Sequence, residues 1–113
     1  MNENNQDEWN KCIEACLDCY RVCQETLQYC LNKGGDHASA NHIQLLMDCS
    51  MLCQLSANFM IHKSRYSVAL CKLCAEICEA CADSCSKFAH DAQMQVCADV
   101  CRLCAKSCKS MQA

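Results

Sequence analysis

A chain of 113 residues with 16 cysteines, no proline and two glycines can bury one modest core and is suited to uninterrupted helices, because proline and glycine are the strongest helix breakers. Aromatic residues are few (one Trp, three Tyr, two Phe) and β-branched residues sparse, which excludes a β sandwich or barrel. A net charge of −3 without a basic block excludes an electrostatic footprint for nucleic acid, and no apolar run is long enough to span a membrane.

The start, MNENNQDEWNK, is polar and acidic. It has neither the charged n-region nor the apolar h-region of a signal peptide. A cytoplasmic location is therefore expected, where a reducing environment keeps thiols free. There, a dense cysteine pattern points to metal or redox chemistry before disulfides.

The first helix is expected over about residues 7–32 and carries Cys12, Cys16, Cys19, Cys23 and Cys30. Lys33-Gly34-Gly35 ends it, since glycine readily takes the left-handed cap geometry. The second is expected over about residues 37–62, with Asp36 or Ser39 as its N-cap. It carries only Cys49 and Cys53, on a stripe completed by His42, Leu46, Ser56 and Met60. The third, over about residues 65–88, holds Cys71, Cys74, Cys78, Cys81 and Cys85 in the run CKLCAEICEACADSC. The fourth, over about residues 91–111, holds Cys97, Cys101, Cys104 and Cys108. Asp99 lies in its first half and Arg102, Lys106 and Lys109 follow, as the helix dipole prefers.

Within each group the cysteines are spaced by three or four residues, or by seven, their sum. That is the rhythm of one narrow helix stripe, whereas a strand would scatter these thiols over both faces. Four helices with short connections predict an all-α fold, an up-down-up-down antiparallel four-helix bundle with a cysteine-lined core, forming a single domain over residues 1–113. Glu14, Asp18, Arg21 and Glu25, and Glu76, Glu79, Asp83 and Lys87, fall off the cysteine faces. Bulkier residues flank the stripes: Ile13, Leu17 and Tyr20; Leu70, Leu73 and Ile77; Val96, Val100 and Leu103. These flanks are expected to hold neighbouring helices together while the thiols face the axis.

A buried cysteine is ordinarily a small hydrophobe, but a whole stripe on every helix gives up the packing that leucine and isoleucine would supply. Disulfides use a few cysteines at fixed places in oxidising compartments, and a continuous stripe would invite competing pairings. Tetrahedral all-cysteine zinc sites would leave half the thiolate charge unbalanced inside the bundle. The ferredoxin run is C-x2-C-x2-C-x3-C followed by proline, which the alternating x2 and x3 gaps here do not reproduce. Copper(I) is soft, prefers thiolate and accepts few ligands. With each thiolate bridging two ions, about one copper per thiol leaves the interior nearly neutral. The expected cargo is thus many Cu(I) ions per chain, bound by all the cysteines named above, in a binding protein and not an enzyme. The alternative is an iron–sulfur or thiol-redox electron carrier.

CIEACLDCYRVC, DCSMLC, CKLCAEICEACADSC and CADVCRLCAKSC resemble the cysteine stripes of the bacterial copper storage proteins, over essentially the whole chain after its polar start. The cytosolic branch is the better match, given the absence of a signal peptide. The resemblance implies copper storage and detoxification inside the bundle and a homotetramer of bundles. A copper chaperone or acceptor protein is expected as partner of such a store. It departs at the second helix, where the two cysteines predict a thinner array.

An up-down bundle gathers Cys30, His37, His42, His90 and Met94 at one end, and Trp9, Met60, His62, Ser67 and Met111 at the other. His and Met bind copper(I) more weakly than thiolate and could pass ions inward. The His-rich end is expected to admit copper, through His42, His90 and Met94. The resemblance agrees, since the family has polar or His/Met ligands at its copper-admitting mouth. His37 and His62 are expected to face solvent.

Overall fold

The structure, a computed structural model, describes residues 3–111. Helix α1 spans Glu3–Lys33, α2 Ala40–Ile61, α3 Ser67–Ser86 and α4 Ala92–Lys109, with a short 3-10 turn at Gly35–Ala38 between the first two. Both α1 and α3 pack against α2 and α4, while the diagonal pairs meet only through thiols at the axis, such as Cys49 and Cys101 at 3.9 Å. The result is a square, antiparallel bundle measuring 48 × 20 × 18 Å, the length being that of α1 at 1.5 Å per residue.

The chain ends each helix by a different device. Gly34 (φ 72°) and Gly35 (φ 57°) both sit in the left-handed region, and the Gly34 amide closes α1 by donating to the Cys30 carbonyl at 3.1 Å. This double reversal folds residues 35–38 into the 3-10 turn, so α2 starts at Ala40 and not near 37. Ser39, with extended backbone, is its N-cap, and Asp36 falls inside the turn. The C-terminus of α2 has no glycine: Lys63 takes φ 58°, and the Lys63 and Ser64 amides donate back to the Met60 and Phe59 carbonyls. Asp91 caps α4, its Oδ1 accepting from the Met94 amide at 3.4 Å.

Every cysteine stripe turns inward, and all 16 thiols are buried and unpaired. The second helix follows its expected stripe, with His42, Leu46, Cys49, Cys53, Ser56 and Met60 buried. The flanking residues divide. Ile13, Tyr20, Ile77 and Val100 pack against the core, but Leu17, Leu73, Val96 and Leu103 remain exposed. A position next to a stripe lies about 100° around the helix from it, so only flanks turned toward a neighbouring helix are covered.

Small residues do much of the sealing instead. Ala75 and Ala82 of α3, and Ala98 and Ala105 of α4, are buried beside the thiols. Ala75 and Ala82 share a helix face with Glu79, which pairs with Lys109 of α4; Asp83 pairs with Arg102 at 3.3 Å. Between α1 and α2, the buried Ser50 hydroxyl accepts from Gln24 at 2.7 Å. Short side chains at these seams bring helices close enough for thiols from all four to meet on the axis.

Candidate metal centre

The sulfurs form a continuous column. Starting from the Trp9 end, Cys12, Cys71 and Cys108 form the first cluster, followed by Cys16, Cys74, Cys104 and Cys108. Next come Cys19, Cys53, Cys78 and Cys104, then Cys19, Cys23, Cys49 and Cys101, and finally Cys23, Cys81, Cys97 and Cys101. Within each cluster the sulfurs lie within 4.8 Å of one another. Zinc–thiolate bonds are about 2.3 Å, so two metal–sulfur bonds span a comparable distance. Cys19, Cys23, Cys101, Cys104 and Cys108 each belong to two clusters, as bridging ligands would. Individual contacts are close: Cys53 to Cys78 at 3.5 Å, Cys49 to Cys78 at 3.6 Å, Cys19 to Cys101 at 3.7 Å. The two cysteines of α2 are therefore not peripheral, since each completes a central cluster.

Cys30 and Cys85 stand outside these clusters, toward the His-rich end. Burial pushes the Cys30 thiol up to about 11, helped by the nearby groups Cys97, Asp91 and Cys81. Cys85 is raised as well, first by its hydrogen bonds with Cys81 and Cys97 and then by burial. Both thiols are therefore neutral at neutral pH in metal-free protein.

At this mouth the Cys30 Sγ lies 3.4 Å from His42 Nε2 and 3.5 Å from Met94 Sδ, two of the three residues expected to admit copper. His42 Nδ1 is 2.7 Å from the Ser84 hydroxyl, and burial depresses the His42 pKa, keeping the ring neutral. His90 is not part of this set; it is exposed on the turn before α4. His37 departs from its expected solvent-facing position. It is half-buried, hydrogen-bonded to Asp91 at 2.9 Å and packed against Phe88 with ring centroids 4.1 Å apart, the planes inclined by 43°. The 3-10 turn carries it inward over the bundle end, where the Tyr29 hydroxyl also donates to Asp91 at 2.8 Å. Burial works against ionisation of Asp91, but the bonds from Tyr29, His37 and the Met94 amide prevail and hold its pKa below the usual carboxylate value. His62, by contrast, is exposed as expected.

The opposite end is more apolar. Trp9, Met60 and Met111 are buried there, and the Cys71 thiol donates to Met60 Sδ at 3.7 Å. The buried Ser56 hydroxyl, on the inward stripe of α2 between Cys53 and Met60, has no hydrogen-bond partner among the described residues. Ser84, Phe88 and the Tyr29–His37–Asp91 cluster carry no local sequence signal. They come from separate elements, and only the folded bundle end brings them beside His42.

Fold and donor set together define a class: a helical bundle whose core is a column of free thiols, the ligands that soft metal ions prefer. The chain belongs to the copper storage protein family, whose model matches residues 5–113. Among solved structures it is similar to a Nitrosospira multiformis protein, at 43% identity and TM-score 0.89 over 94% of this chain and 95% of that one. It is also similar to the Cu(I)-bound copper storage protein BsCsp3, at 39% identity and TM-score 0.86 over 94% and 99% of the two chains. A cytosolic copper storage protein from Streptomyces lividans, solved with five coppers, matches at 28% identity and TM-score 0.90 over 97% and 96%. No helix among the described residues is long and apolar enough to cross a membrane.

Proposed function

We propose that this chain is a copper(I) store, holding many ions along the axis of the bundle through the thiolates of all 16 cysteines. The observation that carries this reading is the unbroken column of free sulfurs, each cluster sharing members with another. Bridging thiolates match univalent copper in number and in charge, so a filled column stays nearly neutral. Loading exchanges each thiol proton for a copper ion, without oxidation or reduction. Helical walls hold the sulfurs along a line, which suits a metal chain better than a compact iron–sulfur cage wrapped by a loop. The chain acts as a binding protein and not an enzyme, within the cytoplasm.

Ions enter at the mouth formed by Cys30, His42 and Met94, where thioether and imidazole hand copper to the first thiolate. His90, exposed beside this mouth, serves as an outer contact for the delivering molecule, a copper chaperone or small chelate. The bundles assemble as a homotetramer. Exposed apolar side chains support this, among them Met47, Met51 and Leu55, four residues apart on α2.

Anaerobic titration of the reduced protein with Cu(I), in competition with a strong chelator, tests the storage reading. The expected end point is about one tightly held ion per thiol. Saturation at about a quarter of that number, as tetrahedral all-cysteine sites would give, would overturn it.

A further inference from the structure

We propose that Ser84 is a positioning residue of the copper-admitting mouth, holding the His42 ring so that Nε2 stays aimed at Cys30 and Met94. The inference rests on the storage reading above and deepens it. A cleft lined by Ser39, Asn41, His42, Ser84, Lys87 and Phe88 leads in from the surface beside the N-terminus of α2 and the C-terminus of α3. Phe88 packs against two histidines, its ring centroid 4.1 Å from His37 and 5.2 Å from His42. The cleft reaches His42, and Ser84 stands on its wall.

The geometry gives Ser84 a defined task. Its hydroxyl is 2.7 Å from His42 Nδ1, while Nε2 is 3.4 Å from the Cys30 sulfur. An imidazole fixed at one nitrogen is oriented at the other, which is how outer hydrogen-bond partners commonly tune metal-binding histidines. Met94 can only accept, so the Cys30 thiol donates its single proton to Met94 Sδ. His42 Nε2–H then donates to the Cys30 sulfur, and the Ser84 hydroxyl donates to Nδ1. When copper(I) takes Nε2 and the Cys30 thiolate, the ring proton moves to Nδ1 and the thiol proton leaves to water. The Ser84 oxygen then accepts from Nδ1–H. A hydroxyl both donates and accepts, so it serves the empty and the loading states without moving. A carbonyl or carboxylate could serve only the second.

Two measurements on the full chain test this. Long-range 15N–1H spectra of the metal-free protein read the His42 ring nitrogens, and stopped-flow transfer from a weak Cu(I) chelate reads uptake of the first ions. Ser84→Ala is expected to shift the Nδ1 resonance and slow uptake about tenfold. Helical content and the final number of ions should remain unchanged. Ser84→Thr, which keeps the hydroxyl, should restore both signals. The His42→Ala, Ser84→Ala pair should load no more slowly than His42→Ala alone. Wild-type uptake in Ser84→Ala, with slow uptake in His42→Ala, would overturn the role of Ser84 and leave the mouth standing. Wild-type uptake in His42→Ala would remove the mouth and Ser84 with it. A double variant slowed by the full product of the single effects would show Ser84 acting independently of His42, and would also overturn the proposal.

Discussion

Leu46 is the only buried leucine, isoleucine or valine among the described residues, and it occupies an inward position between His42 and Cys49. It fills the end of the column where α2 supplies no thiol. Leu46→Ala should therefore cost about 2–5 kcal/mol in urea unfolding of the metal-free protein, since the rigid helices around it cannot close the cavity. Leu46→Cys should give up part of that stability but extend the sulfur column, raising the copper end point by about one ion per chain. Asp91 makes a pH-dependent contribution of definite sign. Its pKa in the folded protein lies below the ordinary value of 3.8, so its stabilisation is present above pH 3.8 and is lost as pH falls through the folded value. The melting temperature of metal-free Asp91→Asn should sit below wild type at neutral pH, and the gap should narrow below pH 3.8. Copper affinity should also fall with pH, because loading must displace protons from thiols such as Cys30, whose pKa is pushed up to about 11.

Among the helices, α2 is the wall with fewest thiols, yet Cys49 and Cys53 each complete a four-sulfur cluster near the middle of the column. Changing both to serine should lower the copper end point by about two ions and leave the helical circular dichroism unchanged. A larger loss would mean that the column fills cooperatively through this wall. The end of α2 carries a local cost of its own: Lys63 adopts φ 58°, where a Cβ is strained. Lys63→Gly should stabilise the protein by about 1 kcal/mol, measured by urea unfolding. The same exchange at Gly34 in reverse, Gly34→Ala, should destabilise it by a comparable amount, although a Cβ there would meet no neighbour within 4 Å. Backbone conformation, and not space, sets both signs.

For the whole molecule, the thiol core provides little of the packing that leucine layers give a bundle, so bound copper becomes a large part of its stability. Copper bridged by thiols of several helices binds the folded column more tightly than the unfolded chain, where those thiols are apart. Loading should therefore raise the melting temperature progressively with the number of ions bound, and a strong Cu(I) chelator should reverse the rise. Helical circular dichroism before and after should match, because the polar contacts at the helix seams do not involve the thiols. The apolar residues left on the outside, such as Met51 at 56% and Leu103 at 66% exposed, would be covered in the proposed tetramer. Met51→Glu together with Leu55→Glu should shift the mass measured by light scattering toward that of one chain while leaving copper capacity intact.

The repeating gaps of three and four determined the helices, their inward faces and the chemistry of the core, because helical periodicity turns a linear spacing directly into a stripe. The family resemblance carried by these motifs agrees with the match over residues 5–113. Even the buried set on α2 was legible, since His42, Leu46, Ser56 and Met60 continue the cysteine phase. What periodicity could not assign were the contacts off the stripes at the ends, where the helical repeat stops. His37 folds inward onto Asp91 and Phe88 because two left-handed glycines reverse the chain, and Ser84 meets His42 across 42 residues of sequence. Which thiols share a cluster likewise depends on helix register and close seams, and only tertiary packing sets these. The sequence determined that the axis would be lined with sulfur; the packed ends decided which side chains surround its His-rich end.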